Sequence, residues 1–142
     1  MTAESNVVFR KVREWVQRAE EDLRMAEEGS RLRDPPCHPI AFLAQQCAEK
    51  YLKAFLVLKK VDFPYTHNIS LLLEVCRPHA QWVSDLTEAG RLTDYAVTAR
   101  YPGIVDDVSS KDASTAISLA REVRKTVRKA LGPAITPPGR GG

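Results

Sequence analysis

Between Ala41 and Lys60 the chain reads AFLAQQCAEKYLKAFLVLKK, and the residues in it with chemistry to offer are Gln45, Gln46, Glu49, Lys50 and Lys53. Paired amides can read the polar edge of a ligand, and lysine can hold a phosphate. At about 100° per residue these side chains share one half of a helix. Its other half is Ile40, Leu43, Ala44, Cys47, Ala48, Tyr51, Ala54, Phe55 and Leu58. The pattern fits a ligand surface, but it also fits an ordinary solvated face, on which Glu49 and Lys53 form an i, i+4 pair worth about 0.2–0.5 kcal/mol.

Other candidates sit at element ends, where side chains project into shared space. His67 follows Thr66 just before a helix start, and Arg100 with Tyr101 precedes the turn signal Pro102-Gly103. A lone histidine serves capping or packing as readily as acid–base work, because the sequence shows it no acid or nucleophile. His79, beside Pro78, reads as surface. Arg121, Arg124, Lys125, Arg128 and Lys129 fall on one arc near the end of the last helix. That basic face either complements the helix dipole or meets an acidic partner or RNA. Asp22, at the margin of an apolar arc, needs an internal partner if it is covered. No Walker loop, zinc-spaced cluster or dinucleotide fingerprint occurs, so neither a metal nor a cofactor is expected.

Helical periodicity positions these residues, and no stretch alternates like a strand. A first helix from about Val7 to Gly29 carries Val8, Val12, Trp15, Val16, Ala19, Leu23 and Ala26 on one side. The loop SRLRDPPCHP ends it, and the second helix starts near Ile40. Asn68 or Ser70 caps a short third helix ending before Pro78, and a fourth runs from roughly Ala80 to Ala99. Ser109 and Asp112 form a capping box for the last, whose core stripe runs from Ala113 to Leu131. The expected fold is all-α, an antiparallel up-and-down bundle of four main helices plus one short helix.

A length of 142 residues, 44% hydrophobic and 27% charged, fits one globular domain. That domain is placed at 1–131, with a disordered Pro/Gly-rich tail at 132–142. A net charge of +3 is too small to diagnose nucleic-acid binding by itself. Neither a signal peptide nor an apolar run long enough to span a membrane is seen, so a cytoplasmic protein is expected. Cys37, Cys47 and Cys76 are odd in number and lack Cys-x-x-Cys spacing, which favours reduced, mostly buried thiols.

Taken in order, Trp15…Ala19…Asp22-Leu23…Ala26, then Ala41-Phe42…Gln45-Gln46…Ala48-Glu49-Lys50…Leu52-Lys53-Ala54, then Thr66-His67-Asn68…Leu71-Leu72, then Leu92…Tyr95…Arg100-Tyr101-Pro102, resemble the HEPN family (higher eukaryotes and prokaryotes nucleotide-binding domain) over about Trp15 to Leu131. The resemblance implies a helical bundle, usually homodimeric, often paired with a minimal nucleotidyltransferase in what look like toxin–antitoxin systems. Ribonuclease members carry a catalytic Arg-x4-6-His near the start of a late helix. Here no histidine follows Arg100 at that spacing, and the Arg33–His38 match lies in a proline-broken loop, where chance accounts for it.

The resemblance therefore implies a non-enzymatic protein that binds nucleotide or RNA, or supports a nucleotidyltransferase, through Gln46, Glu49, Lys50, His67, Arg100 and Tyr101. One rival is a metal-independent ribonuclease in which His67 or His38 is the acid/base and Arg100 stabilises phosphate charge. The other is a purely structural interaction module.

Overall fold

The computed structural model describes residues 2–100 and 107–135, without the side chains of 97–100. Helix α1 spans Ala3–Ser30, α2 Cys37–Leu58, α3 Ile69–Cys76, α4 Thr93–Arg100 and α5 Ser110–Leu131. No strand occurs among the described residues, so the all-helical class holds.

Helix α1 begins earlier than its apolar pattern suggests. The Thr2 side chain accepts the Ser5 N–H at 3.1 Å, satisfying a first-turn donor that would otherwise be orphaned. Gly29 does not stop the helix but lies inside it. A Cβ there would meet Ile40 Cγ1 at 3.1 Å, so the glycine lets the start of α2 pack closely against the end of α1. The connection at 31–36 is short enough to fold the two helices back on each other as neighbours.

Helix α2 is the hub, packed by α1, α5, α4 and α3. Tyr51, Leu52, Phe55 and Leu56 from this helix meet Val12, Val16 and Ala19 of α1 and Ala116, Ala120 and Val123 of α5 in one core. Asn68 caps α3, its side chain accepting the Leu71 N–H, while Thr93 Oγ1 accepts from Ile69 N at 3.0 Å. The box expected at α5 is present, with Ser109 and Asp112 each bonding the other's backbone.

The expected fourth helix differs in kind. Gln81–Leu92 is 3₁₀, broken at Leu86 (φ −110°, ψ 15°), and only Thr93–Arg100 is α. Hydroxyls compete with the α ladder here: Ser84 Oγ donates to Gln81 O at 3.2 Å and Thr87 Oγ1 to Ser84 O at 2.8 Å. Apolar anchors hold the segment even so, since Val83, Leu86, Ala89 and Leu92 are all buried.

After α5, Gly132 adopts φ 52° and the chain turns through a short 3₁₀ segment, Gly132–Ala134. Ala134 is buried and its carbonyl accepts from Arg13 Nη1 at 3.4 Å, so the part of the expected tail at 132–135 packs onto α1. Residues 136–142 lie outside the described residues.

Candidate functional site

The polar half of α2 is not a solvated face. Gln45, Glu49 and Lys53 are 0%, 3% and 5% exposed. Burial at this level requires each polar atom to find a partner. Gln45 Nε2 donates to Glu49 Oε1 at 3.1 Å and to the His67 carbonyl at 3.0 Å; Gln46 Nε2 donates to Gln45 Oε1 at 2.7 Å and Glu49 Oε1 at 3.4 Å. Lys53 Nζ donates to Glu49 Oε2 at 2.9 Å, and His67 Nδ1 lies 2.8 Å from Glu49 Oε1. No buried side-chain nitrogen or oxygen among the described residues lacks a partner.

Glu49 is thus an anion held by donors on both oxygens. Burial opposes its ionisation, but hydrogen bonds from Lys53, His67 and Gln45, with the charge of Lys53, outweigh it and hold the carboxyl below its ordinary range. An ionised Glu49 requires the Nδ1 of His67 to carry a proton, which fixes the ring's tautomer when neutral and its orientation in either state.

The loop carrying His67 is clamped by aromatics as well. Lys53 Nζ lies 5.7 Å from the Trp15 ring centroid, 5.8 Å from Phe63 and 5.7 Å from Tyr65. Tyr65 meets His67 edge-on at 6.4 Å, yet it is 99% exposed. Trp15, Phe63 and Tyr65 were not singled out from the sequence, and Lys53, read as part of the polar stripe of α2, was not placed in the candidate site. The available signal was Lys53 one turn after Glu49, together with two aromatics flanking Pro64.

A family model described as HEPN domain matches residues 12–130. The chain belongs to the HEPN family. The crystal structure of ST0689, an archaeal HEPN homologue, superposes with a TM-score of 0.68 at 24% identity, covering 84% of this chain and 97% of that one. No curated protein matches.

In this HEPN domain Gln46, Glu49 and His67 converge, whereas Lys50 turns to the α1 side and pairs with Asp22, supplying the partner that Asp22 needs. Lys50 still lines a groove of about 390 Å³ with Lys11, Glu14, Trp15 and Arg18. The Arg100 side chain and all of Tyr101 lie outside the described residues. His38 faces Asp107 at 3.5 Å, and Arg33 and His79 are exposed.

The basic arc of α5 is divided. Arg121 pairs with Glu27, and Arg124 and Arg128 converge on Glu20 of α1 at 2.7 and 3.2 Å. Arg128 also donates to the buried Tyr51 hydroxyl at 3.1 Å. Lys125 and Lys129 instead line a separate groove with Trp82, Leu86, Asp85 and Glu122. Burial pushes the Cys76 thiol up to about 12 and raises that of Cys47, so both are inert packing groups.

Acid should act on these carboxylates. Burial raises Glu20, but hydrogen bonds from Arg124 and Tyr51 and the charges of Arg124 and Arg128 leave it lowered, as Glu49 is. Groups depressed on folding stabilise the fold above their unfolded pKa near 4.5, and that stability is lost as pH falls through the folded values. Urea midpoints should therefore decline below about pH 4.5, and less steeply in Glu49→Gln. A variant whose decline matches the native protein's would remove Glu49 from this role.

Proposed function

We propose that this HEPN protein works by binding, holding nucleotide or RNA as the homodimeric partner of a separate minimal nucleotidyltransferase, and does not itself cut RNA. The observation that carries the reading is the closure of the polar network upon itself. Glu49 is occupied by Gln45, Gln46, Lys53 and His67, so it orders the 62–68 loop and is not an available base. The sequence adds that no histidine follows Arg100 at the spacing of the ribonuclease motif.

A specific feature favours the nuclease alternative: a carboxylate-oriented imidazole is an arrangement used for general acid–base catalysis. Incubation with total cellular RNA, without added metal, separates the two. Intact RNA is expected, alongside saturable binding of ATP or RNA and co-purification with a co-expressed minimal nucleotidyltransferase. Cleavage by the native protein that His67→Ala or Arg100→Ala abolishes would make this a ribonuclease and overturn the reading.

A further inference from the structure

A nucleic-acid strand needs cations to meet its phosphates, and the cationic face of α5 is the obvious place to look. Its chemistry argues otherwise. Arg121, Arg124 and Arg128 are committed to Glu27 and Glu20, and Lys125 and Lys129 share their groove with Asp85 and Glu122. A phosphate arriving there would have to displace carboxylates already in place or approach acids beside the lysines.

The α1–α2 flank offers a different balance. Lys11 and Arg18 are exposed, two helical turns apart on α1, and neither makes a side-chain hydrogen bond or ion pair among the described residues. They flank Trp15, and Lys50 closes the groove from α2, with Glu14 as the one acid in its lining. Trp15 also joins this groove to the loop, because the Lys53 ammonium that sits over its ring sits over Phe63 and Tyr65 too.

Tyr65 is almost fully exposed, so its ring face is open to a partner, with the His67 ring 6.4 Å away and the Lys53 ammonium 5.7 Å from its centroid. An open aromatic face beside unpaired cations is how proteins hold unstacked bases and their backbone. Two aromatic groups, Trp15 in the groove and Tyr65 on the loop, suit successive nucleotides rather than a single one.

We infer that single-stranded RNA runs across the α1–α2 flank, one base stacking on Tyr65 while Lys11 and Arg18 take backbone phosphates beside Trp15. This rests on the binding role proposed above and goes beyond it by naming the strand's form and its path. A duplex, whose bases are already stacked, has nothing to offer Tyr65.

Fluorescence anisotropy with a labelled oligouridylate tests it, using the full chain and ATP as a second ligand. Tyr65→Ala should weaken the oligonucleotide by about tenfold or more, and Tyr65→Phe should restore binding. Lys11→Gln/Arg18→Gln should also weaken it and reduce the magnitude of the slope of log affinity against log salt by about 1.4. Lys125→Gln/Lys129→Gln should bind as the native protein does. All of these positions are exposed, so folding is not at stake. Native-like binding by both flank variants, or loss confined to the Lys125/Lys129 variant, overturns this path and leaves the binding role standing. ATP binding with no oligonucleotide binding overturns the strand alone. A native protein that holds neither ligand overturns the binding role and this inference with it.

Discussion

Replacing Glu49 with alanine is expected to destabilise the domain by about 3–5 kcal/mol, because it strands a buried cation that has lost its counterion. For a domain of this size that is a fall in melting temperature of roughly 10–15 °C. Lys53 is 5% exposed and its ammonium bonds Glu49 Oε2, so without the carboxylate it has only aromatic faces for company. Gln45, Gln46 and His67 lose an acceptor in the same step. Lys53→Ala should cost less, since Glu49 retains three donors. The double variant should cost less than the two single changes added together, because one removes the group that the other stranded. Denaturant unfolding of the four proteins gives the coupling directly. A Glu49→Ala loss below about 1 kcal/mol, the range of exposed pairs, would mean that water reaches the network and that the loop is held by something else.

The scale of that effect marks where sequence reading stopped. A helical wheel shows that Gln45, Gln46, Glu49, Lys50 and Lys53 share a side, but it does not show what covers that side. The usual inference, polar half to solvent, fails because α2 is surrounded by other helices and its polar residues satisfy one another along the stripe. Glu49 and Lys53 at i, i+4 were legible as a pair. Their burial was not, because it depends on the loop at 62–68 folding over them. His67 was singled out by its place at a helix start, but its acid lies 18 residues earlier, beyond any local pattern.

Other misses have similarly physical origins. The arginines of α5 looked like a free basic arc because their acids, Glu20 and Glu27, lie about a hundred residues away on α1. Glu20 and Glu27 are themselves two turns apart, matching the rise from Arg121 to Arg128, so two facing rows could have been proposed from the spacing alone. The helices with strong caps or long apolar stripes, α1, α2, α3 and α5, were readable to within a few residues. Gln81–Leu92 was not, because a 3₁₀ segment with hydroxyls bonded back three residues carries the same apolar spacing as a weak α-helix. For Arg100 and Tyr101, the expected site membership falls outside the described side chains.

That irregular segment leads to the second large effect expected. Phe55→Ala should cost about 3–5 kcal/mol, the range for emptying a buried aromatic site. Phe55 is 1% exposed and meets Trp82 edge-to-face at 4.9 Å and 74°, joining the hub helix to the 3₁₀ stretch. With poorer hydrogen-bond geometry than an α-helix, that stretch depends on side-chain anchorage more than its neighbours do. The loss should therefore be uneven. Amide exchange at 81–92 should accelerate beyond what the global change in stability accounts for, while α1 and α5 follow the global value. Phe55→Leu keeps part of the volume and loses the ring edge, so it should fall between the two. Uniform acceleration across all helices would show that Val83, Leu86, Ala89 and Leu92 hold the segment without the aromatic contact. In that case the groove beside Lys125 and Lys129 would keep its shape in the variant, and with Phe55 removed its wall at Trp82 and Leu86 would have to be braced from α3 and α5.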